Sequence, residues 1–248
     1  MKKLKIPKYT RVLLILTAAN LAILFFRNFI VGDHFFNFLL SNLLSGIIPF
    51  IIAVAIRYFN RRLSNFFFIV ASLVWLLFYP NSPYMISDLI HPHQDPNDAT
   101  SESLIIYDTL IVFSIAMLSV FYGFVSLKIM FNLFRSRFGN KFAHTAIFIS
   151  LCLSCLGFYM GRELVSEIKA GNGYLYSWEI FLEPGFIIKT VWQNLFPIQD
   201  HLPVYYMMAL FGFVQYQLLI MMKDVSDFEA AEIVTKKNPV LQTKTSNI

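Results

Sequence analysis

Charged residues are scarce in this chain, and that scarcity excludes a soluble globule of its size. Asp, Glu, Lys and Arg make up 14% of the 248 residues, whereas soluble domains carry roughly 25%. Hydrophobic residues make up 57% and aromatic residues 17%, so polar side chains are too few to cover a surface facing water. With a mean hydropathy of +0.60, the composition predicts a multi-pass membrane protein.

Cysteine is almost absent, which argues against a disulfide-forming membrane enzyme. The chain has two cysteines, Cys152 and Cys155, in the apolar stretch LCLSCLGF. Such enzymes need a second redox pair, and the sequence offers no further cysteine. Thiols inside an apolar run behave as small hydrophobic side chains, so we expect these two to serve packing.

The positive charges are distributed as a topology signal. The formal net charge is +5, but no zinc finger, glycine-rich phosphate loop or nucleic-acid signature accompanies it, so nucleic acid is not an expected partner. Lys and Arg cluster at the N-terminus, in the second and fourth connections between apolar runs, and in the C-terminal tail. Of the 20 Lys and Arg residues, all lie in these clusters except Arg27, Arg162, Lys169 and Lys189. The positive-inside rule therefore predicts that both termini are cytoplasmic.

Six apolar runs approach the length of about 20 residues that a spanning helix needs. The first lacks a small-x-small cleavage site, so we expect it to remain uncleaved. The predicted fold is an all-α bundle with transmembrane helices at roughly 12–32, 36–56, 65–90, 104–131, 143–162 and 202–222. These form a transmembrane domain over 1–222, followed by a polar cytoplasmic tail over 223–248. An amphipathic helix near 185–196 is expected at the outer membrane surface.

The third run is interrupted by the stretch YPNSPYMISDLIH. Residues 65–79 form roughly 22 Å of helix, which is short of the hydrocarbon thickness of about 30 Å. Pro80 and Pro83 then break the backbone hydrogen-bond ladder. Ser82 is a good N-cap for a second helical arm that begins at Pro83 and stops before Pro92. We therefore predict a broken third helix, of the kind that transporters use to build ligand sites.

Titratable residues follow this break at helical spacing. Tyr84, Asp88 and His91 would share one face of the second arm, where a carboxylate and an imidazole can share a proton or a cation. Asp108 is expected just inside the outer boundary of the fourth span, and Arg162 is the natural partner for Asp108 or Asp88. No His-Glu-x-x-His or Cys/His spacing accompanies them, so the sequence predicts no metal site and identifies no cofactor.

Four motifs occur in a recognisable order: WLLFYPNSPYMISDLIH, then YD at 107–108, GFYMGRE at 157–163 and SWE at 177–179. Over roughly residues 60–200 this pattern resembles the bacterial membrane family catalogued as domain of unknown function 1361. That family has a Pro-Asn-x-Pro-Tyr segment leading to Asp-Leu-Ile-His, then Tyr-Asp, Gly-Arg and Ser-Trp-Asp. The resemblance implies family positions for Asn81, Pro83, Tyr84, Asp88, His91, Asp108, Arg162 and Trp178.

The chain departs from the family pattern in its fifth loop. The segment ELVSEIKAGNGYLY between Gly-Arg and Ser-Trp is longer than in the family, and Glu179 stands where the family has Asp. The family brings no activity to transfer, so the resemblance supports the fold and the motif positions only.

The sequence favours one function and leaves two alternatives open. We expect a polar site that opens to the exterior leaflet and binds a small polar or lipid-headgroup ligand, with the candidates Asn81, Tyr84, Asp88, His91, Asp108, Arg162 and Trp178. The first alternative is a hydrolase or transferase acting on envelope lipids, with His91 or Asp88 as base. The second is a structural or partner-binding subunit whose Asp and Arg pairs only lock helices together. The lipid bilayer is the expected partner, and the sequence identifies no protein partner.

Overall fold

The computed structural model describes residues 8–32, 35–94, 102–168, 189, 192–193, 196 and 198–237. At some of these positions only the backbone is described, among them His91, residues 156–168 and residues 222–237. Within the described residues every regular element is helical. The predicted all-α class is therefore confirmed.

Seven α-helices are described, in the order α1 Lys8–Val31, α2 Phe38–Phe59, α3 Asn65–Phe78, α4 Asn81–Tyr84, α5 Glu102–Phe138, α6 Asn140–Ile168 and α7 Leu202–Lys237. Short 3-10 helices cover Phe35–Asn37, Met85–Gln94 and Ile198–His201. The one over Met85–Gln94, which follows α4 directly, is called the 3-10 arm below.

Among the described residues, four segments are long and apolar enough to cross a membrane, as expected of a helical membrane protein. They are Tyr9–Val31, Phe38–Phe59, Asn65–Leu89 and Leu104–Phe138, and they coincide with the first four predicted spans. The last two predicted spans, 143–162 and 202–222, fall on α6 and α7. A shorter apolar stretch within α7 runs over Met208–Met221, and both remain predictions as membrane crossings.

Helix α5 is the centre of the bundle. It packs against α1, α2, α4, α6 and the 3-10 arm. Its fully or nearly fully buried residues lie on several sides of the helix and include Ile111, Val112, Ile115, Ala116, Leu118, Leu127 and Met130. A helix that is apolar all round is the kind that occupies the middle of a membrane bundle. Its 37 residues span about 55 Å at 1.5 Å per residue, which exceeds the hydrocarbon thickness.

The predicted break in the third span is present at Pro80–Pro83. Helix α3 ends at Phe78, where the Tyr79 N–H still donates to the Trp75 carbonyl oxygen at 2.9 Å. Since proline has no N–H, the ladder is lost at both prolines, and the Ser82 N–H donates to the Tyr79 carbonyl oxygen at 3.1 Å instead. Tyr79 and Pro80 both keep right-handed helical dihedrals. The chain therefore continues in nearly the same direction with tighter turns.

Two details of the predicted break are wrong. The second arm restarts at Asn81, so Ser82 lies inside α4 and Pro80 occupies the N-cap position. The arm also runs through Pro92 as a 3-10 helix to Gln94. The Ser82 hydroxyl instead donates to the Gly46 carbonyl oxygen of α2 at 2.7 Å. A tertiary hydrogen bond has replaced the local one.

The break is held between two glycines on neighbouring helices. Ser119 of α5 donates its hydroxyl to the Ser82 carbonyl oxygen at 3.1 Å, which satisfies a backbone group near the break. Gly46 lies so close that a Cβ there would clash with the Ser119 hydroxyl, and a Cβ at Gly123 would lie 2.7 Å from the Ser82 Cβ. Small residues permit such close approach between membrane helices. We call Gly46, Ser82, Ser119 and Gly123 the serine–glycine seam.

Further buried hydrogen bonds tie α3 to its neighbours. The Trp75 indole N–H donates to the Ser126 hydroxyl of α5 at 3.3 Å. The Tyr79 hydroxyl donates to the Gln215 side-chain oxygen of α7 at 3.2 Å. Ser126 and Tyr79 are almost fully buried, so these bonds satisfy polar groups that have no access to water.

Arg137, near the end of α5, holds the turn between α2 and α3. Its guanidinium donates to the side-chain oxygens of Asn60 at 2.8 Å and Asn65 at 3.0 Å, and to the Leu63 carbonyl oxygen at 2.9 Å. Its Cζ atom also lies 4.5 Å from the centre of the Phe68 ring. A residue that sequence reasoning counted only as a topology signal therefore stabilises a specific turn.

The predicted packing role of the cysteines agrees with the structure. Both thiols are free, and Cys155 is buried within α6. Helix α7 approaches closely here, since a Cβ at Gly212 would lie 3.5 Å from the Cys152 Sγ atom. That distance is an ordinary van der Waals contact, so the thiols act as small packing groups between α6 and α7.

Most of the amphipathic helix predicted near 185–196 lies outside the described residues. The Phe196 N–H donates to the Trp192 carbonyl oxygen at 3.0 Å, which is the spacing of an α-helical turn. Trp192 is exposed, as expected for an aromatic side chain at a membrane surface.

The serine–glycine seam generates a prediction about stability. Gly123→Ala should destabilise the protein by about 1–3 kcal/mol, because the new Cβ must displace Ser82 and the backbone beside it. Gly212→Ala is the matched control, since its Cβ meets only ordinary contacts at 3.5 Å or more. Thermal unfolding of the detergent-solubilised variants measures the difference. Equal losses in the two variants would contradict the seam.

Candidate functional site

The 3-10 arm changes which of the predicted site residues share a face. Sequence reasoning assumed an α-helix, in which Tyr84, Asp88 and His91 align. A 3-10 helix has three residues per turn, so positions 85, 88 and 91 lie along one line and Tyr84 is displaced by about 120° from Asp88. Asp88 and the backbone position of His91 therefore share a face, whereas Tyr84, the last residue of α4, does not share it.

Asp88 is buried against α2. Its side chain is 1% exposed, and its Oδ2 atom accepts a hydrogen bond from the Asn42 side-chain amide at 2.8 Å. The 3-10 arm that carries this carboxyl group packs on α5 as well as on α2. A buried carboxyl in this position can accept hydrogen bonds, hold a proton or attract a cation.

Asp108 forms a buried ion pair with Arg27. Arg27 Nε donates to Oδ1 at 3.0 Å and Nη2 to Oδ2 at 2.9 Å, and both side chains are 0% exposed. The Arg27 Cζ atom also lies 4.7 Å from the centre of the Phe36 ring. Such bidentate arginine–carboxylate pairs are among the strong hydrogen-bonded ion pairs in proteins. This pair joins α1 to α5.

Arg162 was the expected partner of Asp108 or Asp88, and the structure pairs Asp108 with Arg27. Arg27 lies near the end of α1, within the first predicted span of 12–32. Arg162 lies in the later part of α6, and its side chain is outside the described residues. Helix α1 continues past Arg27 to Val31, and the packing of α1 on α5 brings the guanidinium to Asp108.

The two carboxyl groups lie at the same end of the bundle. Arg27 is close to the end of α1, Asn42 to the start of α2 and Asp108 to the start of α5. Asp88 follows the end of α3, and consecutive helices alternate in direction, so all four belong to one end. The candidate residues thus converge on one end, although Asp88 and Asp108 have different partners.

The remaining candidates are only partly described. Asn81 is half-buried at the start of α4, and its carbonyl oxygen would lie 3.7 Å from a Cβ at Gly46. Tyr84 is half-buried, and its carbonyl oxygen accepts a hydrogen bond from the Ser87 hydroxyl at 2.7 Å. The side chain of His91 and the whole of Trp178 lie outside the described residues. Their membership of the site stays a prediction.

Sequence reasoning missed Arg27, Asn42 and Ser119 as parts of this region, and it gave Ser82 a local capping role instead of its hydrogen bond to α2. A signal existed for Arg27 and Asn42, because each is a strongly polar residue within or beside an apolar run. For Ser119, and for the tertiary hydrogen bond of Ser82, the sequence held no signal, since a serine in a membrane helix commonly bonds to its own helix.

The Arg27–Asp108 pair generates a second prediction. Arg27→Gln and Asp108→Asn should each destabilise the protein by about 3–5 kcal/mol, because each leaves the opposite charge buried without its partner. The double variant Arg27→Gln/Asp108→Asn should lose clearly less than the sum of the single losses. Chemical unfolding in detergent measures all three, with Arg61→Gln, an exposed arginine in the turn after α2, as control. Additive losses would show that the pair contributes no coupling.

A comparison with known protein families shows which family the chain belongs to. Searches of curated proteins and of solved structures find no match. The family described as "Protein of unknown function (DUF1361)" matches residues 41–218, which covers most of the chain. The match includes the break, the 3-10 arm and the positions of Asp88, Asp108 and Arg162. The chain belongs to the DUF1361 family of proteins of unknown function.

Proposed function

We propose that this protein binds a small polar or lipid-headgroup ligand at the end of its bundle that carries the 3-10 arm. The carboxyl group of Asp88 would receive the positively charged or hydrogen-bond-donating part of the ligand. Arg162, on α6, would meet an anionic part, and Asn81, Tyr84, His91 and Trp178 would complete the site.

The observation that carries this proposal is the burial of Asp88 on a segment that is not regular α-helix. A carboxyl group between membrane helices is costly and usually marks a binding or transfer site. Non-helical backbone at membrane depth is tolerated where it is covered by protein or lines a polar cavity. Asp88 lies on such a segment, the 3-10 arm. Its carboxyl group is buried and accepts a hydrogen bond from Asn42 of α2.

The charge distribution supports an exterior position for this site. The basic clusters of the N-terminus, of the α2–α3 turn and of the α5–α6 junction belong to the opposite end of the bundle. Under the positive-inside rule that end faces the cytoplasm. We therefore propose a multi-pass protein of a bacterial cell membrane with both termini inside and the Asp88 site at the outer leaflet.

The Arg27–Asp108 pair favours a second candidate function, which is that of a structural or partner-binding subunit. The pair is fully buried and already hydrogen-bonded at both carboxylate oxygens, as expected of a helix lock. In our proposal Asp108 positions α1 and α5, and it belongs to the site through that support.

The binding proposal is tested on Asp88. The probe is phosphatidylethanolamine, whose headgroup offers an ammonium and a phosphate. Native mass spectrometry of the purified protein in detergent measures its retention. Asp88→Asn should lower the affinity by about tenfold, because it removes the negative charge that attracts the ammonium, while Asp88→Glu should retain most of it. Ser41→Ala, an exposed position on α2 at the same end, is the control.

Folding of each variant is checked by its helical circular dichroism and its elution as a single species. Unchanged retention in a folded Asp88→Asn variant contradicts the proposed site. Loss of folding in Asp88→Asn and Asp88→Glu alike, without any lipid selectivity in the unsubstituted protein, favours the structural subunit.

The proposed orientation is tested independently by a reporter at position 93, after the end of α3 and within the 3-10 arm. An alkaline phosphatase fused at His93 should be active, because that enzyme folds only outside the cytoplasm. A green fluorescent protein fused after residue 237 should be fluorescent, since we expect the C-terminal tail inside. Inactive phosphatase at His93 would reverse the orientation.

A further inference from the structure

A cavity of about 370 Å³ lies at the end of the bundle opposite the Asp88 site, among α1, α2 and α5. That volume is within the range of about 300–1,000 Å³ typical of small-ligand pockets. Its described lining residues are Tyr9, Arg57, Val125, Lys128, Ile129, Asn132 and Leu133. Nothing in the function proposed above uses this cavity.

The polar part of the cavity is suited to an anion. Arg57 of α2 donates from Nη1 to the Tyr9 hydroxyl of α1 at 3.1 Å, which joins the two helices at the rim. A guanidinium has five N–H donors, so one such bond leaves others for a ligand. Lys128 contributes a second positive charge from α5, and none of the described lining residues is acidic.

The apolar part of the cavity is suited to a hydrocarbon chain. Val125, Ile129 and Leu133 follow one another at intervals of four residues and form a stripe along α5. Lys128 and Asn132 form a neighbouring polar stripe with the same spacing. The cavity therefore presents an apolar stripe next to a polar stripe that carries the positive charge of Lys128, which matches a molecule with one charged end and one apolar end.

The cavity lies at the depth of a lipid headgroup. Tyr9 is at the start of α1 and Arg57 is close to the end of α2 at Phe59. Helix α5 continues beyond Lys128 for ten residues to Phe138, or roughly 15 Å, so it projects past this level. Tyrosine and arginine at such a depth are typical of a membrane–water interface.

We propose that this cavity binds the phosphate group of an anionic phospholipid, such as phosphatidylglycerol, from the leaflet at the basic end of the bundle. Arg57 and Lys128 contact the phosphate oxygens, Asn132 and Tyr9 supply hydrogen bonds, and an acyl chain lies along the Val125 stripe. Basic pockets between membrane helices are known to hold anionic headgroups in this way. A soluble phosphate would satisfy the cations but would leave the apolar stripe unused, so the observations favour a lipid.

This lipid site and the Asp88 site lie at opposite ends of α2, so either can exist without the other. Arg57 is near the end of α2 and Asn42, the partner of Asp88, is near its start. Failure of one proposal therefore leaves the other standing.

The test compares phosphatidylglycerol with phosphatidylcholine of the same acyl chains, by native mass spectrometry of the full-length protein in detergent. The unsubstituted protein should prefer phosphatidylglycerol. Arg57→Gln and Lys128→Gln should each reduce that preference roughly fivefold, as expected for one positive charge near a membrane surface. Raising the salt concentration should weaken the preference. Arg61→Gln is the matched control, because Arg61 is an exposed arginine at the same end that does not line the cavity.

Three outcomes overturn the proposal. The first is an unsubstituted protein that does not distinguish the two lipids. The second is a loss in Arg61→Gln equal to that in Arg57→Gln, which would assign the preference to general charge. The third is displacement of phosphatidylglycerol by soluble glycerol phosphate at comparable concentration, which would assign the cavity to a soluble anion. If Arg57→Gln fails to fold because it loses its hydrogen bond to Tyr9, the lipid preference of Lys128→Gln tests the proposal.

Discussion

A bilayer offers no hydrogen-bond partners to backbone groups, and the break at Pro80 and Pro83 makes that constraint decisive for this fold. The broken span survives because the protein itself supplies the partners. The Ser119 hydroxyl donates to the carbonyl oxygen of Ser82. The hydroxyl of Ser82 donates to the Gly46 carbonyl oxygen of α2. Those bonds require three backbones to lie unusually close, which accounts for glycine at 46 and 123. The position of the 3-10 arm, and with it that of Asp88, depends on this seam.

The elements that could be predicted from the sequence are those with a local cause. Apolar runs of sufficient length predicted the spanning helices, and two prolines predicted the break. The type of helix after the break could not be predicted, because 3-10 helices longer than three or four residues are uncommon and an α-helix is the default expectation. The predicted N-cap at Ser82 was wrong because the arm restarts at Asn81, and the Ser82 hydroxyl makes a tertiary hydrogen bond to the Gly46 carbonyl oxygen. Gly46, the acceptor of this hydrogen bond, lies 36 residues from Ser82 along the chain, so the bond has no local sequence signal.

The candidate site shows the same limit. Composition and depth identified Asp88 and Asp108 as costly residues that need partners. Finding the partners requires knowing which helix faces which, and single-sequence reasoning contains no distance information of that kind. Arg162 was expected because it lies at the correct end. Arg27 lies at the same end, and the continuation of α1 to Val31 places it against α5. The topology limits the candidate partners of Asp108 to one end of the bundle. The packing of the helices determines which of those candidates forms the ion pair.

The two buried carboxyl groups play different parts in the proposed function. Both oxygens of Asp108 accept hydrogen bonds from Arg27, so a ligand that bound there would have to separate two charges inside a low-dielectric core, at a cost of several kcal/mol. Asp88 accepts a hydrogen bond from the side-chain amide of Asn42 and lies on the 3-10 arm, whose backbone departs from regular α-helix. In our proposal the ion pair therefore holds α1 against α5, and the ligand binds at Asp88.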